Sequence, residues 1–157
     1  MKIRIISIGK TNIAFVKEGL DEYLNRLKHY TKLSWEELPD YKNIERKNQD
    51  LLKEKEGALL LKAIHPNDIL FLLDDKGKQK TSEQLAHWIE HHQLYEQNDL
   101  VLVIGGAYGF SKSIEERARG KISLSKLTFN HQMVRLILAE QLYRAFSIIK
   151  GEPYHHA

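Results

Sequence analysis

No cysteine occurs among the 157 residues, which excludes a disulfide scaffold, a thiolate metal site and thiol catalysis, and fits a reducing compartment. The cytoplasm is the expected location. Proline and glycine are sparse, at 3 and 9 residues, so the chain carries neither a low-complexity linker nor a fibrous repeat. Charge of one sign is also scarce: 24 Lys plus Arg face 21 Asp plus Glu, a formal charge of +3. No cationic run marks a dedicated nucleic-acid arm. No window of 18 residues is apolar and uncharged, so neither a membrane-crossing helix nor a membrane partner is expected. The apolar stretch after Met1 is too short for a signal peptide and has the pattern of a strand. What is present, 42% hydrophobic and 29% charged residues, suffices for one core, and the length fits a single domain over 1–157.

Apolar patterning predicts a first strand at 2–8, a helix over 13–30 with Val16, Leu20, Tyr23, Leu24 and Leu27 on one face, and a strand at 32–38. A helix over 45–64 is expected to bury Leu51, Leu52, Leu59, Leu60 and Ile64, and to stop at His65-Pro66-Asn67. Residues 68–73 form a continuous apolar run typical of a strand covered on both faces, followed by an expected turn at 74–78. Thr81 and Gln84 have capping-box spacing for a helix reaching about Leu94. A second fully apolar strand at 99–104 enters Gly105-Gly106-Ala107-Tyr108-Gly109. Ser113-Ile114-Glu115-Glu116 predicts another capped helix, and 121–124 a last strand. The order predicts an α/β fold, a mainly parallel sheet flanked by helices. The final segment, 131–149, has almost no polar face, so a helix there needs cover beyond its own sheet. A homodimer is expected.

Glycines after a buried strand allow close backbone approach to a nucleotide-like ligand, and equally make a tight strand-to-helix turn. The pattern is neither G-x-G-x-x-G nor a P-loop. His87 and His91 stand four apart with His92 adjacent, but no H-E-x-x-H accompanies them, and no metal is expected. The loop at 123–129 carries Ser123, Ser125 and Thr128 without a nucleophile elbow, so capping hydroxyls explain it as well as a site does. Arg135 and Arg144 interrupt the apolar helix, where a cation needs an anion, such as Glu140, or a cavity. Tyr154-His155-His156 is either a loose terminus or part of a site.

Taken together, Val103-Ile104-Gly105-Gly106-Ala107-Tyr108-Gly109, Leu124-Ser125-Lys126-Leu127-Thr128-Phe129, His131-Gln132-Met133-Val134-Arg135, Glu140-Gln141-Leu142-Tyr143-Arg144-Ala145-Phe146 and Tyr154-His155 resemble the ribosomal large subunit methyltransferase H family. Residues 1–10 and 30–40 fit its N-terminal half. That family belongs to the SPOUT, or α/β-knot, methyltransferases. The resemblance implies a C-terminal trefoil knot, a homodimer through the last helix, and methylation of N3 of a pseudouridine in 23S rRNA, at 1915 in the usual numbering. The donor implied is S-adenosylmethionine, without a metal. Carried over by motif, Leu73, Gly105, Leu124, Ser125, Lys126, Leu127, Thr128 and Phe129 would hold the cofactor. Arg144, Tyr154 and His155 would handle the substrate: a cation to stabilise the deprotonated base, a ring to stack or hydrogen-bond, and an imidazole to accept a proton or contact phosphate. Where the family commonly has Pro before the histidine, this sequence has Asn130, which can cap the following helix.

A charge of +3 per subunit predicts weak, salt-dependent affinity for naked RNA, and so 23S rRNA within the large subunit or the whole ribosome as substrate. Two other readings compete: a nucleotide-dependent oxidoreductase built on the Gly-Gly turn, and a ribosome-associated factor without catalysis.

Overall fold

The computed structural model describes residues 1–41 and 48–156. Five strands and five helices alternate among them: β1 Ile3–Ile8, α1 Ala14–Leu27, β2 Leu33–Leu38, α2 Gln49–Ala63, β3 Ile69–Gln79, α3 Ser82–Tyr95, β4 Leu100–Ile104, α4 Lys112–Arg117, β5 Gly120–Ser123 and α5 Met133–Ile149. The strands form one parallel sheet in the order β2-β1-β4-β3-β5. Side chains alternate faces along a strand, and the core divides accordingly. Ile3, Ile5, Ile69, Leu100 and Leu102 pack with Ile89 of α3 and with Leu138, Leu142 and Phe146 of α5. Ile6, Ile8, Leu70, Leu72, Val101 and Val103 pack on the other face with Leu60 of α2 and Ile114 of α4. Helices on both faces of a parallel sheet explain why β3 and β4 read as unbroken apolar runs.

Three expectations need correction. The polar stretch 74–78 is not a turn after β3 but part of it: the strand bulges between Leu73 and Lys78, both of which partner Ile122. Gly77 makes this possible, since a Cβ there would lie 2.8 Å from the backbone of Lys121 and Ile122. The cap of α4 is Ser111, whose side chain accepts from the Ile114 amide at 3.4 Å, rather than Ser113. On α2 the buried residues are Glu56, Gly57 and Leu60, and Leu51 is exposed, because a close approach at Gly57 to Ser111 brings α2 onto α4 along a narrower strip. The expected helix positions 45–47 lie outside the described residues. The Thr81/Gln84 capping box is present with both hydrogen bonds.

Candidate active site

Beyond the carboxyl ends of β4 and β5, beside the bulge of β3, lies a cleft of about 440 Å³, where parallel α/β sheets take ligands. Leu73 and Ile104 form its floor, Gly105 and Gly106 one side, and Leu124, Ser125, Leu127, Thr128 and Phe129 the other. Seven of the eight residues expected at the cofactor therefore meet on one wall system. Lys126 does not. Ser125 Oγ accepts from the Leu127 amide at 3.0 Å, and Ser123 Oγ donates to the Ser125 carbonyl at 2.7 Å. This folds the loop into a tight turn, with Lys126 exposed. Asp74, Asp75, Asn130 and His131 also line the cleft, and hydropathy gave no signal for them. Burial pushes the Asp74 carboxyl up, but the Lys76 amide and the Lys121 ammonium outweigh it and hold it below the ordinary range.

The glycines serve packing beneath the turn. A Cβ at Gly105 would stand 2.7 Å from the Phe110 ring, and one at Gly106 would stand 2.6 Å from both Glu56 carboxylate oxygens. Gly109, at φ +88°, reverses the chain in a conformation that L side chains resist. On the rim Leu127 is 72% exposed and Phe129 is also exposed, an apolar surface suited to the faces of a planar ring.

The expected substrate residues form a second cluster. Glu140 Oε1 accepts from Arg144 Nη2 at 2.7 Å and from Tyr154 Oη at 3.0 Å. The Arg144 guanidinium lies 4.9 Å from the centre of the Tyr154 ring, a cation–π distance. Arg144 Nη1 is 3.0 Å from His155 Nδ1, and His155 Nε2 is 2.8 Å from Glu83 Oε1. A guanidinium only donates, so Nδ1 accepts and Nε2 carries the proton toward Glu83. Tyr154 also meets Tyr23 Oη at 3.2 Å, and the terminus is thereby a built part of the molecule. Burial, reinforced by the Tyr23 and Glu140 hydrogen bonds, pushes the Tyr154 phenol up. It acts as a neutral donor. Glu83 and Tyr23 escape a reading of the sequence because their partners lie 72 and 131 residues away.

The two groups do not meet within one chain. Val134 lines the cleft, and Arg144 follows it ten positions along the same helix, about 15 Å at 1.5 Å per residue.

The family model described as predicted SPOUT methyltransferase matches residues 1–155. A protein of Parabacteroides distasonis named ribosomal RNA large subunit methyltransferase H is 50% identical over 156 residues, 99% of each chain. Proteins of the same name from Cytophaga hutchinsonii and Flavobacterium johnsoniae are 47% and 45% identical, each over 99% of this chain and at least 99% of their own. The chain belongs to the ribosomal RNA large subunit methyltransferase H family.

Membership in this SPOUT family decides for a methyltransferase over an oxidoreductase or a non-catalytic factor. In this methyltransferase the other candidates take structural places. His92 is buried with its ring against Trp88 and Phe71, and its Nδ1 has no hydrogen-bond partner among the described residues. His91 stacks on Tyr95. No group of three or more potential ligands converges on a metal position among the described residues. Arg135 does not pair with Glu140: it is 1% exposed and binds the carbonyls of Ile8, Gly9 and His131, with Glu37 at 3.4 Å. Asn130 caps the start of the last helix, its Oδ1 accepting from the amides of Gln132 and Met133 at 3.0 and 2.8 Å.

Proposed function

We propose that this methyltransferase transfers the methyl group of S-adenosylmethionine to N3 of a pseudouridine in 23S rRNA, and that it does so in the cytoplasm as a homodimer on the large subunit or whole ribosome. The observation that carries the cofactor assignment is the convergence of Leu73, Gly105 and the loop at 124–129 on one cleft. Its donor set fits: Leu73, Leu124, Leu127 and Phe129 supply apolar faces, and an irregular loop supplies backbone groups for a purine edge. The rRNA assignment is supported by the names of full-length relatives near half identity. A single domain over 1–157 and the C-terminal trefoil knot belong to the same proposal.

S-adenosylmethionine supplies a methyl carbon activated by a positive sulfonium. The chain's own task is to hold the target base in line with that carbon and to stabilise the charge left when N3 loses its proton. Arg144 supplies the positive charge, and Tyr154 is a phenol donor with its ring beneath the guanidinium. His155 Nδ1 is a lone pair available for the proton once Arg144 turns to the base. These roles need the cluster beside the cleft. Met133, Ile137 and Ile148 are only half-buried in the single chain. An isologous dimer that packs the two last helices antiparallel buries them and carries the cluster of one subunit to the cleft of the other.

The test is transfer of labelled methyl to ribosomes lacking the modification, with separated subunits and naked rRNA in parallel. Label confined to one pseudouridine of the assembled large-subunit RNA is the expected result. No label together with no binding of S-adenosylmethionine overturns the proposal.

A further inference from the structure

Across the wall made by His131 lies a second cleft, of about 520 Å³, over the carboxyl ends of β1 and β2. The sheet order turns back between β1 and β4, so the two clefts flank the topological switch point. At the base of the second cleft Arg135 Nη1 and Nη2 donate to the carbonyls of Gly9 and Ile8 at 3.0 and 2.8 Å, and Nη1 donates to Thr11 Oγ1 at 2.8 Å. Gln132, 4% exposed, holds the Lys10 carbonyl and the Asn12 amide at 3.0 and 2.9 Å. Two buried polar side chains thus immobilise an exposed loop, and burying them is costly unless every group is matched. That loop brings Lys10 and Asn12 to the cleft, at the start of α1. The first turn of α1 carries no acid, and its N-cap makes no side-chain hydrogen bond. Opposite, Asp40 stands two residues past the end of β2, with Oδ2 3.3 Å from the place of a Cβ on Gly9. Tyr41 also lines the cleft among the described residues.

We propose that this cleft seats a ribonucleotide of the RNA strand that carries the methylation target, Lys10 facing its phosphate and Asp40 accepting from the ribose 2′-hydroxyl. In a strand–helix–strand unit, an acid after the second strand meets the ribose diol and the phosphate lies at the start of the helix. Lys10 and Asp40 occupy those places, and the hydroxyl contact distinguishes RNA from DNA. A phosphate at Lys10 and a base in the neighbouring cleft share His131 as a wall, since it lines both. The identity of the strand rests on the methyltransferase function proposed above; the chemistry of the cleft does not.

The experiment compares the full-length wild type with Lys10→Ala and Asp40→Asn. Loss of one charge-assisted contact predicts a KM for unmodified ribosomes raised about 10-fold in each variant. Affinity for S-adenosylmethionine, measured by calorimetry, stays within about twofold because neither side chain lines the cofactor cleft. An unchanged KM in both variants overturns the proposal, as does a rise matched by equal loss of S-adenosylmethionine affinity. Uridine 5′-monophosphate that binds without competing with ribosomes assigns the cleft to a free nucleotide and also overturns it. Should the wild type methylate no ribosome, the substrate proposed above fails instead, and nuclear magnetic resonance titration with uridine 5′-monophosphate decides for the cleft alone. Shifts at residues 9–12 that vanish in Lys10→Ala support it, and no shift overturns it.

Discussion

At the scale of the residue, Arg144 and Glu56 make opposite uses of charge. Arg144 is a cation held ready by Glu140, and that hydrogen bond, against the cost of burial, raises its affinity for the proton. Under the proposed mechanism, Arg144→Ala removes the positive charge offered to the base and leaves the walls of the cleft intact. Methyl transfer is expected to fall by about 100-fold or more, with S-adenosylmethionine binding nearly unchanged by calorimetry. Glu56 sits beneath Gly106, and burial, with Asp40 adding repulsion, pushes its carboxyl up to about 7. The fold therefore favours the neutral acid. Its stabilisation is complete below the ordinary value of 4.5 and disappears as pH rises through about 7, a change of about 3 kcal/mol from pH 4 to pH 8. Glu56→Gln should melt above the wild type at pH 8 and level with it at pH 4.5, as followed by circular dichroism. Equal differences at both pH values would refute this account of Glu56.

At the scale of the element, the last helix shows what a sequence discloses and what it hides. Its apolar spacing located it to within two residues, and its two arginines stood out as charges needing partners. Arg144 pairs with Glu140 four positions back, as the spacing suggested, but the partners of Arg135 were illegible, because it binds backbone carbonyls at Ile8 and Gly9 more than 120 residues away. The bulged end of β3 was hidden for another reason. Asp74, Asp75, Lys76, Gly77 and Lys78 have the composition of a turn, and only the missing Cβ of Gly77 lets that stretch return to β5. The residues carried over by motif were legible as a set that lines one cleft, apart from Lys126, which is exposed and outside it. Asn130 was correctly read as a cap. Asn130→Ala leaves the amides of Gln132 and Met133 without their acceptor and should cost about 1 kcal/mol in urea denaturation. The loop it anchors lines the cleft proposed for the cofactor, so S-adenosylmethionine affinity should fall in the same variant.

At the scale of the whole molecule, the cleft and the Arg144 cluster are separate within one chain, so the proposed function ties activity to association. Ile137→Asp places a charge on the half-buried face of the last helix, where a second subunit would have to desolvate it. Sedimentation should show a monomer, and methyl transfer should be lost even though every residue of both clusters is intact. A monomer with full turnover would show that one chain closes its own site. Recognition by shape more than charge also follows from the modest +3. Activity on ribosomes should then fall less steeply with salt than binding to naked rRNA.

His131 and its neighbours form one partition between two cavities, bolted on one side by Arg135 and Gln132 and continuous on the other with the loop at 124–129. An occupant on either side bears on a wall that both sides share, so binding in one cleft biases binding in the other. Thermodynamic reciprocity then requires that a methyl donor which tightens RNA binding be tightened by RNA in the same ratio. Under the proposed function, a donor held more tightly beside RNA leaves more readily once the RNA has gone, owing to a wall that takes no part in the chemistry.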